Sequence, residues 1–161
     1  MVKVLLFDWG NTIMVDFGLP GPMYTWQRVA WVEGAEKALQ RLSINYTCCL
    51  ATNAGASTTP EVIMALKRVG ADKYFKHIFL AKEIGFKKPD PQFFQVIIDH
   101  FNMQPSFFIM IGDNYRNDCE GAKNAGIKTV FFNAKHVKGS FPMADAVINS
   151  LDELETTIGM L

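Results

Sequence analysis

Four short stretches hold the side chains best placed for chemistry, and three of them sit where an apolar run ends. Lys3-Val4-Leu5-Leu6-Phe7 leads into Asp8, with Gly10 and Asn11 just beyond as turn residues. Tyr46 to Ala51 leads into Thr52 and Asn53, and Phe107 to Ile111 leads through Gly112 into Asp113, with Asn117 and Asp118 following. Phe86-Lys87-Lys88-Pro89-Asp90-Pro91 sets a lysine pair just ahead of a helix start. Ligands of open α/β sheets bind at the carboxyl ends of the strands, so Asp8 is a candidate for chemistry there. The plainer alternative is that it caps the next segment or hydrogen-bonds its loop. Asp113 and Asp118 read either as metal-binding acids or as a capped helix start, and Gly112, which permits close approach of the backbone, favours the metal. Thr52 and Asn53 offer hydrogen-bond donors to an anion, or a turn ahead of Gly55.

The elements that carry these residues alternate along the chain. A strand over 3–7 is followed by a long ordered loop over 13–32, rich in Gly, Pro and aromatics, with room for one short helical turn. Glu33 to Leu42 has Ala35, Ala38, Leu39 and Leu42 at helical spacing and leads into a second strand over 46–51. Thr58-Thr59-Pro60-Glu61 is a capping box with Pro in the first turn, opening a helix that runs to Val69 and stops at Gly70. His77 to Ala81 is a third strand, and Pro91 opens a helix whose apolar Phe93, Phe94, Val96, Ile97 and Phe101 cover more than one face, as in a buried helix. A fourth strand over 107–112 delivers Asp113, and Asp118 opens a helix through Ala125 that stops at Gly126. Ile127–Phe132 and Ala146–Ile148 are further strands, and Ser150 with Glu153 caps the last helix. Strands alternating with helices predict an α/β fold: a single doubly wound, Rossmann-like domain over 1–161, with a parallel sheet of five to six strands.

Composition narrows the partners. The 16 basic and 16 acidic side chains cancel, leaving no electrostatic footprint for nucleic acid or an anionic membrane. No segment approaches the roughly 20 apolar residues needed to span a bilayer. The N-terminus enters the first strand without a cleavable signal pattern, which predicts a cytoplasmic protein. Cys48, Cys49 and Cys119 are odd in number and lack CxxC spacing, so they read as reduced, packed thiols.

Taken in order, an acid, a hydroxyl, a lysine before Pro-Asp-Pro and an acidic pair, the chain resembles the haloacid dehalogenase (HAD) superfamily of hydrolases over nearly all of its length. The resemblance implies a phosphohydrolase in which Asp8 attacks phosphorus and becomes an aspartyl phosphate that water then hydrolyses. It implies magnesium (Mg2+) held by Asp8, the Gly10 carbonyl and Asp113, with Asn117 and Asp118 orienting ligands or water around it. Thr52, Asn53 and Lys88 would bind the substrate phosphate. Lys88 would also bridge to the nucleophile and offset repulsion among the acids, with Lys87 a solvated neighbour. Family dehalogenases dispense with the metal and with an aspartate two residues after the nucleophile, whereas the acidic pair here suits magnesium, which argues against dehalogenation.

One position departs from the family pattern. Most of its phosphatases carry an aspartate two residues after the nucleophile to protonate the leaving group, and Gly10 stands there. Losing such a group costs roughly 10² to 10⁴ in rate. Either substrate, water or another acid such as Asp16 replaces it, or the substrate has a good leaving group such as an acyl phosphate. The alternative is a catalytically impaired metal- and phosphate-binding regulatory module. The intervals where relatives insert a cap, 13–32 and 53–87, leave no room for one. An open site is therefore expected, reached by a phosphorylated substrate, small or macromolecular, or closed by a second subunit of a homo-oligomer. Phe17, Tyr24, Trp26 and Trp31 either wall that site, contact a subunit, or pack their loop onto the core.

Overall fold

Along the first strand successive side chains point to opposite faces, and here all four residues are buried: Val4 and Leu6 in one apolar core, Leu5 and Phe7 in another. A strand buried on both sides belongs to the middle of a parallel sheet. The computed structural model describes residues 1–161 and places that strand, β1 (Val4–Phe7), between β2 (Thr47–Thr52) and β4 (Phe108–Gly112). With β3 (His77–Leu80), β5 (Lys128–Phe132) and β6 (Ala146–Ile148) the order is β3-β2-β1-β4-β5-β6, every pair parallel. The order reverses between β1 and β4, and at such a switch point the connecting loops part and leave a crevice. Asp8 and Asp113 are the residues that follow these two strands.

Helices cover both faces. α1 (Ala35–Leu42), α2 (Thr59–Val69) and α6 (Leu154–Met160) pack Leu39, Leu66 and Ile158 against Leu5 and Phe7. α4 (Pro91–Phe101) and α5 (Gly121–Asn124) pack Phe93, Phe94, Ile97 and Ala122 against Val4 and Leu6, as does the single-turn α3 (Ala81–Ile84) through Ala81. This is a single α/β domain with a doubly wound parallel sheet, and none of its helices is long and apolar enough to cross a membrane. Both capping boxes form: the Glu61 carboxylate accepts from the Thr58 N–H at 2.7 Å, and Glu153 accepts from the Ser150 N–H at 2.8 Å. Cys48, Cys49 and Cys119 are buried and unpaired, and burial pushes each thiol up to about 12.

Three local expectations are corrected. The first helix begins at Ala35 rather than Glu33, because Gly34 takes a left-handed φ of 82° and breaks the helical run there. Val96 of α4 faces outward, and Ile98 is buried in addition to Phe93, Phe94 and Ile97. Asp118 does not open its helix: a π-helical segment already starts at Tyr115, capped by the Asn114 side chain, whose Oδ1 accepts from the Asn117 N–H at 3.0 Å. The helical turn thus turns Asp118 inward, where it is completely buried.

The long loop after β1 is tied down along its length. Gly10 and Trp31 each form a single bridge to Met14, Trp26 Nε1 donates to the Gly21 carbonyl at 3.0 Å, and Trp31 Nε1 donates to the Val69 carbonyl at 3.0 Å. Arg68 of α2 donates to the carbonyls of Tyr24 and Trp26, fastening the one short helical turn, Met23–Thr25.

Gly121 shows how helix packing sets the site. A Cβ there would lie 2.5 Å from the Pro89 carbonyl oxygen and 2.8 Å from Pro89 Cα, so only glycine lets α5 press against the residue after Lys88. Gly121→Ala is expected to destabilise the fold by about 1–3 kcal/mol, read as a lower urea midpoint at unchanged slope. An unchanged midpoint would mean that the Pro89 loop is free to move away.

Candidate active site

β1 ends at Phe7, and the Asp8 N–H still donates to the Ile111 carbonyl at 2.9 Å, so the carboxylate leaves the sheet one residue past the last ladder pair. Asp113 follows Gly112 at the end of the neighbouring strand. Lys88 arrives from the loop before α4, and its side chain is only 2% exposed. Its Nζ donates to Asp8 Oδ1 at 2.8 Å and to Asp118 Oδ1 at 2.7 Å. An ammonium taken out of water needs such partners, because burial without them costs several kcal/mol. Burial alone would lower the Lys88 pKa. The carboxylates of Asp118 and Asp8 outweigh it and hold the group well above its ordinary value, so its charged form is secure.

The second oxygen of Asp118 accepts from the Asn114 N–H at 2.9 Å, so both of its oxygens are engaged. A Cβ at residue 112 would fall on that carboxyl, which is the close approach that Gly112 permits. Asp113 Oδ1 accepts from the Thr12 hydroxyl at 3.3 Å. Carboxyl oxygens of Asp8, Asp113 and Asp118 all lie within 4.8 Å of one another, with one ammonium among them. That imbalance shows in their acidities. Burial, then the charge of Asp8, raises Asp113 to about 6; burial raises Asp118 to about 7, with the Asp8 charge adding and Lys88 opposing. A buried group of oxygen donors carrying more negative charge than its one lysine can balance fits a hard divalent cation. Asp8 and Asp113 are the acids with capacity to ligate it, and Gly10 lines the same cavity. Asp118, committed to Lys88 and Asn114, would hold its neighbours in place.

Thr52 closes β2 at the same edge. Its Oγ1 accepts from the Ala54 N–H at 3.2 Å, which leaves the hydroxyl proton to donate into the cavity that Thr52 lines. Asn53 has a different geometry from a free donor. Its Nδ2 donates to the Lys88 carbonyl and its Oδ1 accepts from the Lys88 N–H, both at 2.8 Å, so the carboxamide clamps the lysine's backbone. Its main-chain N–H and the second N–H of its amide remain for an anion, whereas the Ala54 N–H is already engaged by Thr52. Asn117 lines the cavity beside Asp113 and Asp118, whereas Lys87 is exposed and outside it.

The cavity has a volume of about 540 Å³, with Asp8, Gly10, Thr52, Lys88 and Asp113 at its base. No cap domain stands over it. Instead the loop after β1 forms one side, through Asp16, Leu19, Met23 and Trp26. Trp26 is 8% exposed, which leaves it a wall of the cavity and removes it as a subunit contact. Phe17, Tyr24 and Trp31 are half-buried and pack against the core.

Sequence reasoning brought Asp8, Gly10, Thr52, Asn53, Lys88, Asp113, Asn117 and Asp118 together at one edge, as the structure does. It passed over Thr12, Asn114 and Ser57. A hydroxyl between Asn11 and apolar Ile13 was a signal for Thr12, which is fully buried. Asn114 and Ser57 look like ordinary turn residues in the sequence.

The family described as haloacid dehalogenase-like hydrolase matches residues 23–132, a span that holds Thr52, Lys88, Asp113 and Asp118 and begins after Asp8. Over 102 residues the chain is 37% identical to a glyceraldehyde 3-phosphate phosphatase of Pyrococcus furiosus, covering 63% of this chain and 41% of that protein. It is 32% identical over 124 residues to the pyrimidine 5'-nucleotidase YjjG of Escherichia coli, covering 76% and 54%. The chain thus spans about half the length, or less, of these relatives. A crystal structure of a HAD phosphatase from Thermococcus onnurineus superposes with a TM-score of 0.81 at 20% identity, covering 98% of both chains. Fold, strand-end acids and the matched span agree, and the chain belongs to the haloacid dehalogenase-like hydrolase family.

Proposed function

We propose that this chain is a magnesium-dependent phosphohydrolase that acts on a small phosphorylated molecule through an aspartyl phosphate on Asp8. The observation that carries this reading is Lys88 Nζ lying between Asp8 and Asp118 at the base of a cavity that Thr52 also lines. A carboxylate attacks a phosphate dianion only where the charge of both is offset. Lys88 supplies one positive charge, and Thr52 with the main-chain N–H of Asn53 supplies donors to the phosphate oxygens. Magnesium, bound by Asp8, Asp113 and the Gly10 carbonyl, would neutralise the remaining charge and polarise the phosphoryl group. The cavity volume of about 540 Å³ suits a metabolite-sized ligand, in keeping with the phosphatases among the relatives. The reduced state of three buried cysteines is in keeping with a cytoplasmic setting.

Two outcomes follow. Asp8→Asn keeps the size of the side chain and removes the nucleophile, so Mg2+-dependent release of inorganic phosphate from aryl, acyl and sugar phosphates should fall to background. Wild-type turnover that survives this change would exclude an aspartyl phosphate. Absence of any wild-type turnover, with Mg2+ still bound, would favour the regulatory module that Gly10 suggests.

The second outcome concerns metal and pH. A carboxyl pKa raised to about 6 at Asp113 means that the folded chain holds a proton there which the unfolded chain has lost above about 4. The stability this group contributes is present below about pH 4 and is lost as pH rises through about 6. Mg2+ would take the place of that proton, so its stabilisation should be larger at pH 8 than at pH 5. At roughly 100 times its dissociation constant it should raise the melting temperature at pH 8 by about 5–10 °C. Calorimetry with and without chelator reads this, and an equal gain for Asp113→Asn would remove Asp113 as a ligand.

A further inference from the structure

We propose that Asp16 is the proton donor to the leaving group, from six residues beyond the position the family uses; the inference rests on the phosphohydrolase reading above. A Cβ built on Gly10 would lie 3.5 Å from Asp16 Cβ and 3.7 Å from Asp16 Oδ2. The Asp16 carboxyl therefore stands beside the space that an acid at residue 10 would sweep. It lines the same cavity as Asp8, Thr52 and Lys88.

Its placement is built rather than incidental. Asn11, at a left-handed φ of 57°, turns its side chain so that Oδ1 accepts from the Asp16 N–H at 2.9 Å. Asp16 Oδ1 in turn accepts from the Gly18 N–H at 2.8 Å. One carboxyl oxygen is thus fixed by the loop, while Oδ2 has no partner within the chain and is the oxygen that approaches Gly10. The bridges of Met14 to Gly10 and Trp31 hold the start of the loop against the end of β1. Glycine at residue 10 then has a reason: an aspartate there would set two carboxylates side by side on the cavity wall.

The step balances as follows. As Asp8 oxygen bonds to phosphorus, the bond from phosphorus to the ester oxygen breaks, and the proton on Asp16 Oδ2 passes to that oxygen to give the alcohol. Asp16, now a carboxylate, takes a proton from the water that attacks the aspartyl phosphate. The bond from phosphorus to Asp8 breaks, inorganic phosphate leaves, and Asp16 is again protonated.

Asp16→Asn tests this, because the amide oxygen still accepts from the Gly18 N–H and the turn survives. The full chain with Mg2+ is assayed on an alkyl phosphate, phenyl phosphate, p-nitrophenyl phosphate and acetyl phosphate, with Asp8→Asn as background. The expected result is a fall of roughly 10² to 10⁴ in kcat/KM on the alkyl phosphate, shrinking step by step toward the acyl phosphate, whose leaving group needs no proton. On p-nitrophenyl phosphate kcat should fall more than kcat/KM, with a burst of nitrophenol, since the second step also uses Asp16. Gly10→Asp added to Asp16→Asn should recover alkyl phosphate turnover. Equal losses on every substrate at unchanged melting temperature, or no loss on any, would overturn the role of Asp16 while leaving the phosphohydrolase reading standing. Wild-type turnover no greater than that of Asp8→Asn on all four substrates would overturn both.

Discussion

A lysine ammonium enclosed by protein, held within 2.8 Å of two carboxylates, is the interaction on which the rest of this structure depends. Taking that charge out of water is repaid only by close and well-directed partners, and removing any one of them leaves an uncompensated buried charge. Three separate parts of the chain must therefore meet at Lys88: the end of β1 with Asp8, the helical turn after β4 with Asp118, and the loop before α4. Their packing is correspondingly intolerant. Gly112 leaves room for the Asp118 carboxyl, Gly121 lets α5 press on Pro89, and the Asn53 carboxamide grips both backbone groups of Lys88.

The same cluster carries more negative charge than its lysine can balance. Asp8, Asp113 and Asp118 bring three carboxyl groups within 4.8 Å, and burial together with the Asp8 charge raises the pKa values of the other two. The chain as a whole has no net charge, so attraction for an anionic ligand must be generated here, by Lys88, by donors such as Thr52, and by a bound cation. Division of labour among the acids follows from hydrogen bonding. Asp118 spends both oxygens on Lys88 and Asn114, and Asp8 and Asp113 face the cavity with oxygen to spare.

Without a cap domain, the wall of the cavity comes from the loop after β1. Arg68 of α2 ties that loop down by the carbonyls of Tyr24 and Trp26, and Trp26 closes one side while itself remaining buried. An aromatic segment that a sequence leaves open as wall, subunit contact or packing thus serves as packing along most of its length and as wall at Trp26.

The sequence by itself determined the layering and the location of the site. Apolar runs too short for helices, each ending in a polar residue, specify buried parallel strands, and the capping boxes at Thr58 and Ser150 specify where helices begin, because both signals act over a few neighbouring residues. Asp8, Thr52, Lys88 and Asp113 were legible for the same reason: each sits at a boundary that local pattern reveals. The tertiary structure alone decided how those residues are used. That Asp118 turns inward instead of capping, that Asn53 spends its carboxamide on the Lys88 backbone, and that Asp16 stands beside Gly10 all depend on contacts between segments far apart in the chain or on the precise path of a loop. Hydrogen-bond direction and steric room at a single atom settle such matters, and neither is encoded in the spacing of residue types along a strand or helix.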